Sequence, residues 1–151
     1  MFTLVPTNFF DPASARQTLS EFGPVVEGEE VKYTRIDEYN AVLIFQNEDG
    51  IDSSVPPIYE LLRKLPECGE YNKILCSIVE DKLYLAIAQG KNLLLANSYQ
   101  VQDFITAEYF IFLAMKSLQL NPEMSTICWL SELGAEEEMS LYRYFKSVVQ
   151  L

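Results

Sequence analysis

The hydrophobic and polar positions of the first third of the chain follow a strand and helix alternation. Three short apolar runs have the length and composition of strands: Phe2 to Val5, Val31 to Ile36 and Ala41 to Phe45. After the first run, Asp11 and Pro12 have the residue types of a helix N-cap and a first helical position, and Gly23-Pro24 ends the helix. The pattern predicts a small strand-helix-strand-strand unit over residues 1–50.

The next segment interrupts this pattern. Gln46 to Pro57 is rich in Asn, Asp, Ser, Gly and Pro, which favour turns over regular elements. Pro57 to Leu65 then has apolar residues at helical spacing and is followed by Pro66. We therefore predict a boundary in the polar segment, with a second domain over residues 57–151.

Three further apolar runs open the second domain. We expect strands at Ile74 to Val79, Leu83 to Ala88 and Asn92 to Ser98. The links between them, around Asp81 and Gly90, are only about three residues long. Because a parallel crossover needs a dozen or more residues, these strands must form consecutive antiparallel hairpins.

A long helix, a fourth strand and a last helix complete the predicted second domain. Thr106 to Leu120 is apolar on most of its helical surface, which predicts burial between the sheet and another layer. Thr126 to Leu130 is a continuous apolar run suited to a central, parallel strand. Glu136 to Val149 reads as an amphipathic helix with three glutamates in its first turn. The order indicates a mixed α/β, ribonuclease H-like lobe.

Composition narrows the classes of function. Eleven Lys and Arg against 22 Asp and Glu give a formal net charge of -11, which repels nucleic-acid phosphates and anionic lipid surfaces. Histidine is absent, which excludes Ser-His and Cys-His catalysis and removes the commonest metal ligand. We expect neither nucleic-acid nor membrane partners, and no catalytic or metal-ligating residues are predicted.

The cysteines and the apolar segments predict a cytoplasmic protein. Three cysteines without CxxC spacing fit a reduced compartment, with Cys76 and Cys128 in apolar strands and Cys68 as the exposed thiol of a polar loop. The start of the sequence lacks the features of a secretory signal, and Phe104 to Leu120 is too short and too charged for a membrane span.

Several segments together resemble a bacterial domain-of-unknown-function family with an actin-like ATPase fold. The segments are FTLVP at residues 2–6, KLYLAIAQGKNLLLANSYQ at 82–100, TAEYFIFLAMKSLQLNP at 106–122, TICWLS at 126–131 and LYRYFKSVV at 141–149. The resemblance implies two ribonuclease H-like lobes and brings no substrate with it. It also implies that this chain begins near the middle of the family's pattern, without part of the first lobe.

The resemblance also implies where a nucleotide would bind. In the actin superfamily, the second phosphate-binding turn has an Asp followed closely by a Gly. Its counterpart in this chain is the Glu80-Asp81-Lys82 hairpin, which has Asp81 but lacks the glycine. The superfamily's adenosine motif corresponds to the segment from Ser131 to Gly134. Asp81, Ser131 and Gly134 are therefore the candidate cofactor-binding residues, with ATP and Mg²⁺ as the candidate ligands.

Each of these candidates has a simpler interpretation. Asp81 suits a hairpin because its carboxylate satisfies nearby backbone N–H groups. Gly134 suits a loop before a helix, and the glutamates that follow suit the positive end of a helix dipole. The absence of the glycine from the phosphate turn also weighs against nucleotide binding, because the Cβ of the residue in its place obstructs the approach of backbone N–H groups to a phosphate.

Two functions from different classes follow from these observations. The first is a non-catalytic, actin-like-fold module that binds a protein partner or a second copy of itself, through the long helix or a free strand edge. The alternative is an ATP-binding protein that uses Mg²⁺, with Lys82 or Lys91 helping to neutralise phosphate. A measurement of nucleotide binding distinguishes these two functions.

Overall fold

The computed structural model describes residues 1–46 and 55–151, which form two compact units, Met1–Tyr59 and Glu60–Leu151. Most of the polar segment in which the domain boundary was predicted, residues 47–54, lies outside the described residues.

A three-stranded antiparallel sheet forms the first unit. Its strands are β1 (Phe2–Pro6), β2 (Lys32–Ile36) and β3 (Ala41–Phe45), in the order β1-β3-β2. The continuous apolar strand β3 lies in the middle and is buried throughout, as its composition requires. The predicted first helix is α1 (Ala15–Ser20), preceded by a 3-10 turn at Pro12–Ser14 that the Asp11 carboxylate caps. Leu19 of α1 packs on the sheet beside Val42 and Ile44.

The irregular segment between α1 and β2 is held by two side chains. Gln46, which is buried, accepts a hydrogen bond from the Val26 N–H and donates to the Val26 carbonyl, each over 2.9 Å. Arg16 of α1 donates to the carbonyls of Val26 and Glu29. These bonds satisfy backbone groups that have no strand or helix partner.

A five-stranded mixed sheet forms the centre of the second unit. The strands are β4 (Asn72–Val79), β5 (Lys82–Gln89), β6 (Asn92–Gln100), β7 (Thr126–Trp129) and β8 (Ser147–Gln150). Their order across the sheet is β6-β5-β4-β7-β8. Antiparallel hairpins join β4, β5 and β6, whereas β4, β7 and β8 are parallel neighbours. The predicted ribonuclease H-like lobe is confirmed, with β7 next to β4 in the sheet.

The end of the chain differs from the prediction. The single helix expected from Glu136 to Val149 is a shorter helix, α4 (Ala135–Tyr142), followed by β8. Leu141, Phe145 and Val148 are buried at spacings that fit one helical face, so the local pattern is ambiguous. Pairing with β7 decides the outcome, because the parallel ladder satisfies the backbone of two β-branched valines.

Helices α2 (Pro57–Lys64) and α3 (Phe104–Ser117) agree with the sequence pattern within a few residues. A 3-10 turn at Leu65–Glu67 follows α2. Asp103 is the N-cap of α3, and its carboxylate accepts hydrogen bonds from the Thr106 N–H and hydroxyl, both over 2.7 Å. The inner side of α3 packs on the sheet and on Trp129, and with these residues it forms the main core of the unit.

The outer side of α3 is only partly as predicted. Ile105, Tyr109 and Leu113 lie four residues apart and expose 78%, 60% and 50% of their surface. Because α3 has apolar residues on most of its surface, both its inner and its outer side were expected to be buried. Nothing in residues 1–46 and 55–151 covers the outer side. Within the same ranges, no helix is both long enough and apolar enough to cross a membrane.

The prediction of an exposed thiol at Cys68 is wrong. Cys68, Cys76 and Cys128 are all buried and all free. A hydrogen bond between the Cys68 and Cys128 thiols, together with burial, raises the pKa of Cys68, and the same bond lowers the pKa of Cys128. The polar sequence around Cys68 did not reveal this contact because it depends on how the turn after α2 meets β7.

A buried carboxylate on α3 gives a pH-dependent prediction. Glu108 accepts hydrogen bonds from the Ser140 hydroxyl of α4 over 2.9 Å. Burial raises the pKa of Glu108 above its ordinary value of 4.5, although Ser140 and Arg143 oppose the shift. Because the folded state disfavours the charged form, stability is lost as the pH rises through the range just above 4.5.

We therefore expect Glu108→Gln to unfold at higher denaturant concentration than the wild type at pH 7, since the amide keeps the Ser140 contact without the buried charge. The difference should vanish below about pH 4, where Glu108 is protonated in both states. Urea unfolding across this pH range measures it. An offset between the two proteins that does not change with pH would contradict the assignment.

Candidate functional site

The second unit has a cleft at the carboxyl ends of its parallel strands. This is the edge at which open α/β sheets bind ligands, because loops and helix N-termini converge there. The cleft has a volume of about 290 Å³. Its lining comes from the β4-β5 turn, the start of α3, the segment after β7 and the first turn of α4: Ile78, Glu80, Asp81, Val101, Gln102, Asp103, Phe104, Trp129, Ser131, Glu132 and Glu137.

The structure brings together two of the three predicted cofactor-binding residues. Asp81, from the β4-β5 turn, and Ser131, after β7, line the same cleft although they are distant in sequence. Gly134 is not among the lining residues and is the N-cap of α4. Its φ of -71° suits any residue, and an added Cβ would meet Glu137 at an ordinary 3.5 Å. Nothing in the backbone there requires glycine, and the nucleotide-binding role of all three residues stays a prediction.

The Ser131 hydroxyl oxygen accepts two hydrogen bonds from within the chain. Its Oγ accepts a hydrogen bond from the Ile78 backbone N–H over 3.0 Å and another from the Trp129 indole N–H over 2.9 Å. Trp129 itself is buried and packs against Phe104, with ring centroids 5.5 Å apart. Ser131 therefore ties the end of β4 to the end of β7 and fixes the indole at the floor of the cleft.

Two of the carboxylates in the cleft are also held by backbone donors. Asp103 caps α3, and hydrogen bonds from Thr106 lower its pKa. Glu137 accepts a hydrogen bond from the Gly134 N–H over 3.2 Å at the start of α4. Both residues serve helix N-termini, where a carboxylate is stabilising without any ligand.

Gln150 of β8 is a structural residue of this region that the sequence pattern did not reveal. Its Nε2 donates to the carbonyls of Trp129 and Ser131, and its Oε1 accepts from the Leu133 N–H. These three bonds fix the path of the Ser131 to Gly134 segment. Since residues 147–150 were predicted to be helical or terminal, no local signal placed Gln150 beside this segment.

The charge of the cleft does not suit ATP. Five carboxylates line it, from Glu80, Asp81, Asp103, Glu132 and Glu137, and no Lys or Arg is among the lining residues. Lys82 and Lys91, which the sequence offered as phosphate partners, do not line it. In the described part of the chain, no group of three or more Asp, Glu, Cys or His side chains is arranged to hold a metal ion. The lining residues therefore offer no positive side chain to the phosphates of a nucleotide triphosphate.

The β4-β5 turn is built without the glycine of a phosphate turn. Glu80 has a φ of 56°, in the left-handed region that primed hairpin turns use, and Asp81 follows it. A side chain in this region costs about 1 kcal/mol relative to glycine. Its Cβ also occupies the space through which backbone N–H groups approach a phosphate. The turn closes the hairpin and lacks the open backbone of a phosphate site.

The topology of the second unit defines a ribonuclease H-like lobe of the kind found in the actin-like ATPase fold. The chain belongs to the family described as "Protein of unknown function (DUF3822)", whose model matches residues 51–148. The comparison with curated proteins gives no significant match.

A solved structure supports the same fold. It is a Bacteroides thetaiotaomicron protein described as having an actin-like ATPase fold and unknown function, with a TM-score of 0.78 and 23% sequence identity. The likeness covers 99% of the present chain and 64% of that protein. At this identity the comparison establishes the architecture, and the present chain corresponds to about two thirds of the longer protein.

Removing the Ser131 hydroxyl should destabilise the second unit. Ser131→Ala leaves the Ile78 N–H and the Trp129 indole N–H without this acceptor; both bonds are partly buried, so the loss should be about 1 kcal/mol or more for each group. Chemical unfolding measures the loss, and Trp129, the only tryptophan, reports it through a changed fluorescence maximum.

Ser117→Ala is the matched control, because the Ser117 hydroxyl donates only to the Ala114 carbonyl within α3. Ser131→Thr keeps a hydroxyl at the position and should retain most of the stability. If Ser131→Ala costs no more than Ser117→Ala, Ser131 does not hold the two strand ends together.

Proposed function

We propose that this protein is a non-catalytic binding or assembly module of the bacterial cytoplasm, built on an actin-like ATPase lobe. The observation that carries the proposal is the internal hydrogen bonding of three polar side chains in the cleft. The Ser131 hydroxyl and the carboxylates of Asp103 and Glu137 each bond to the protein's own backbone or side chains. Groups committed in this way are poor candidates for a nucleophile, a general base or a phosphate ligand.

The outer side of α3 supports a protein partner. We use the name outer α3 face for Ile105, Tyr109 and Leu113, whose exposed side chains form one stripe along the helix. Helix α4 lies beside α3 through the Glu108–Ser140 hydrogen bonds, and its Met139 is 64% exposed. A row of large apolar side chains in water is typical of a surface that another protein covers.

Charge indicates the kind of partner. The chain carries a net charge of -11, and Asp103 and the glutamates of the first turn of α4 lie near the beginning of the outer α3 face. A partner with an apolar patch bordered by Lys and Arg would complement both features. Such a partner would bind faster at low ionic strength, because surface charges steer association.

Site-specific photocrosslinking tests the proposed surface. A photoreactive phenylalanine analogue at Tyr109 should give a discrete adduct in the native cell, since the partner would cover this position. The matched control is Tyr71, which is 67% exposed and immediately precedes β4. Combining the probe with Ile105→Ser and Leu113→Ser should reduce the adduct severalfold while the thermal unfolding midpoint stays nearly constant.

A loss of the Tyr109 adduct together with a loss of folding would not support a binding surface. Equal labelling at Tyr109 and Tyr71, or an adduct indifferent to the two serine substitutions, would refute the role of the outer α3 face.

Nucleotide binding is a second candidate, favoured by one observation. Asp81 and Ser131, chosen from the sequence as cofactor-binding residues, lie in one cleft at the carboxyl ends of the parallel strands. In this alternative, the cleft takes ATP with Mg²⁺ offsetting the carboxylates.

Under the non-catalytic proposal, millimolar ATP with Mg²⁺ leaves the thermal unfolding midpoint and the calorimetric heat unchanged. A saturable shift that Asp81→Asn abolishes would favour the nucleotide alternative instead. Asp37→Asn is the control, because it removes the same charge from the first unit, where Asp37 pairs with Arg35.

A further inference from the structure

The outer edge of β6 is long and uncharged. β6 spans nine residues, Asn92–Gln100, and none of them is Lys, Arg, Asp, Glu or Pro. Its inner edge pairs with β5, and no strand within residues 1–46 and 55–151 pairs with its outer edge. Proteins usually protect such an edge with charges, proline or short length, as in the four-residue strand β8 at the opposite edge.

The direction of the free donors follows from one hydrogen bond. The Ser98 N–H donates to the side-chain oxygen of Asn97 over 2.8 Å at an exposed position, so this N–H points away from β5. Because alternate residues of an antiparallel strand face the same neighbour, the N–H groups of Ala96 and Gln100 also point outward. The irregularity in the β5-β6 ladder lies near Leu94, before this regular part.

The two ends of β6 carry opposite charges. Lys91 precedes the strand, whereas Asp103 follows it, and the β4-β5 turn with Glu80 and Asp81 lies at the same end as Asp103. A second copy of β6 placed antiparallel would bring Lys91 of each copy to the acidic end of the other. A parallel arrangement would place acidic end against acidic end. Charge complementarity therefore favours the antiparallel arrangement of two copies.

We propose that two copies of this protein associate by antiparallel pairing of β6 with β6, which joins their five-stranded sheets across a twofold axis near Asn97. The inference is independent of the outer α3 face, so either can fail while the other stands. An isologous contact of this kind closes on itself and gives a dimer rather than a filament.

The proposed register pairs compatible side chains. With Asn97 on the axis, Leu95 of one copy lies opposite Tyr99 of the second copy, on the side of the sheet that the helices cover. Ala96 lies opposite Ser98 of the second copy, and their outward N–H groups face each other's carbonyls. Aromatic with aliphatic pairs of this type stabilise neighbouring strands.

In the single copy, a hydrogen bond to the Asn97 side chain competes with the proposed pairing. The Asn97 side-chain oxygen occupies the Ser98 N–H that the second copy needs, so pairing requires this bond to be exchanged. Asn97→Ala leaves the Ser98 N–H free in the single copy and should therefore lower the dissociation constant of the dimer by about tenfold.

Sedimentation velocity of the full chain over a wide concentration range, up to hundreds of micromolar, tests the proposal. The wild type should show a concentration-dependent dimer. Ser98→Pro removes one N–H from each copy, and each loss should raise the dissociation constant of the dimer by about tenfold, hence by about a hundredfold in all. Proline is tolerated where an edge N–H points outward, and circular dichroism checks that the variant folds. Ser98→Ala keeps the N–H and should associate like the wild type.

Charge substitutions give a second arm that does not depend on proline. Lys91→Glu should weaken the dimer severalfold, because it places like charges together at both ends of the paired strands. Lys116→Glu on α3 changes the net charge equally and should have a smaller effect.

Two outcomes would overturn the inference. One is a monomer at all concentrations for both the wild type and Asn97→Ala. The other is a dimer that Ser98→Pro and Lys91→Glu leave intact, particularly one that Ile105→Ser and Leu113→Ser abolish, which would assign self-association to the outer α3 face and leave β6 unused.

Discussion

The parallel pairing of β7 with β4 is the constraint on which the second unit depends. It places Cys128 beside Leu75 and Trp129 beside Cys76 in the middle of the sheet. A parallel pair needs a crossover, and α3 supplies it while covering the apolar side of the sheet. The Ser131 hydroxyl then bonds to the end of β4 and to Trp129, so the cleft residues are positioned by the same pairing.

The position of the cleft and its chemistry have different origins in this fold. Its position at the carboxyl ends of β4 and β7 follows from the topology alone. Its chemistry depends on individual side chains, and here these are carboxylates, two of which cap helices. Function belongs to such sites and not to the fold, so the actin-like architecture by itself assigns no activity.

Two surfaces of the second unit leave apolar or unpaired groups in water. The outer α3 face exposes large side chains, and the edge of β6 exposes backbone donors. The outer α3 face would bind a partner by burying hydrophobic area, whereas the edge of β6 would bind one through backbone hydrogen bonds. The two surfaces therefore suit different partners. Both surfaces belong to the second unit, and both are open to contact with another chain in the part of the protein that the structure describes.

The sequence by itself determined the elements whose signals are local. The hairpin links required antiparallel strands, Asp11 was recognisable as a cap before the first helix, and the continuous apolar run of β7 indicated an interior strand. Only the tertiary structure decided that residues 147–150 pair with β7, that Cys68 is buried against Cys128, and that the Ser131 hydroxyl accepts hydrogen bonds from Ile78 and Trp129. Each of these depends on a contact between residues far apart in sequence, which periodicity and capping do not encode.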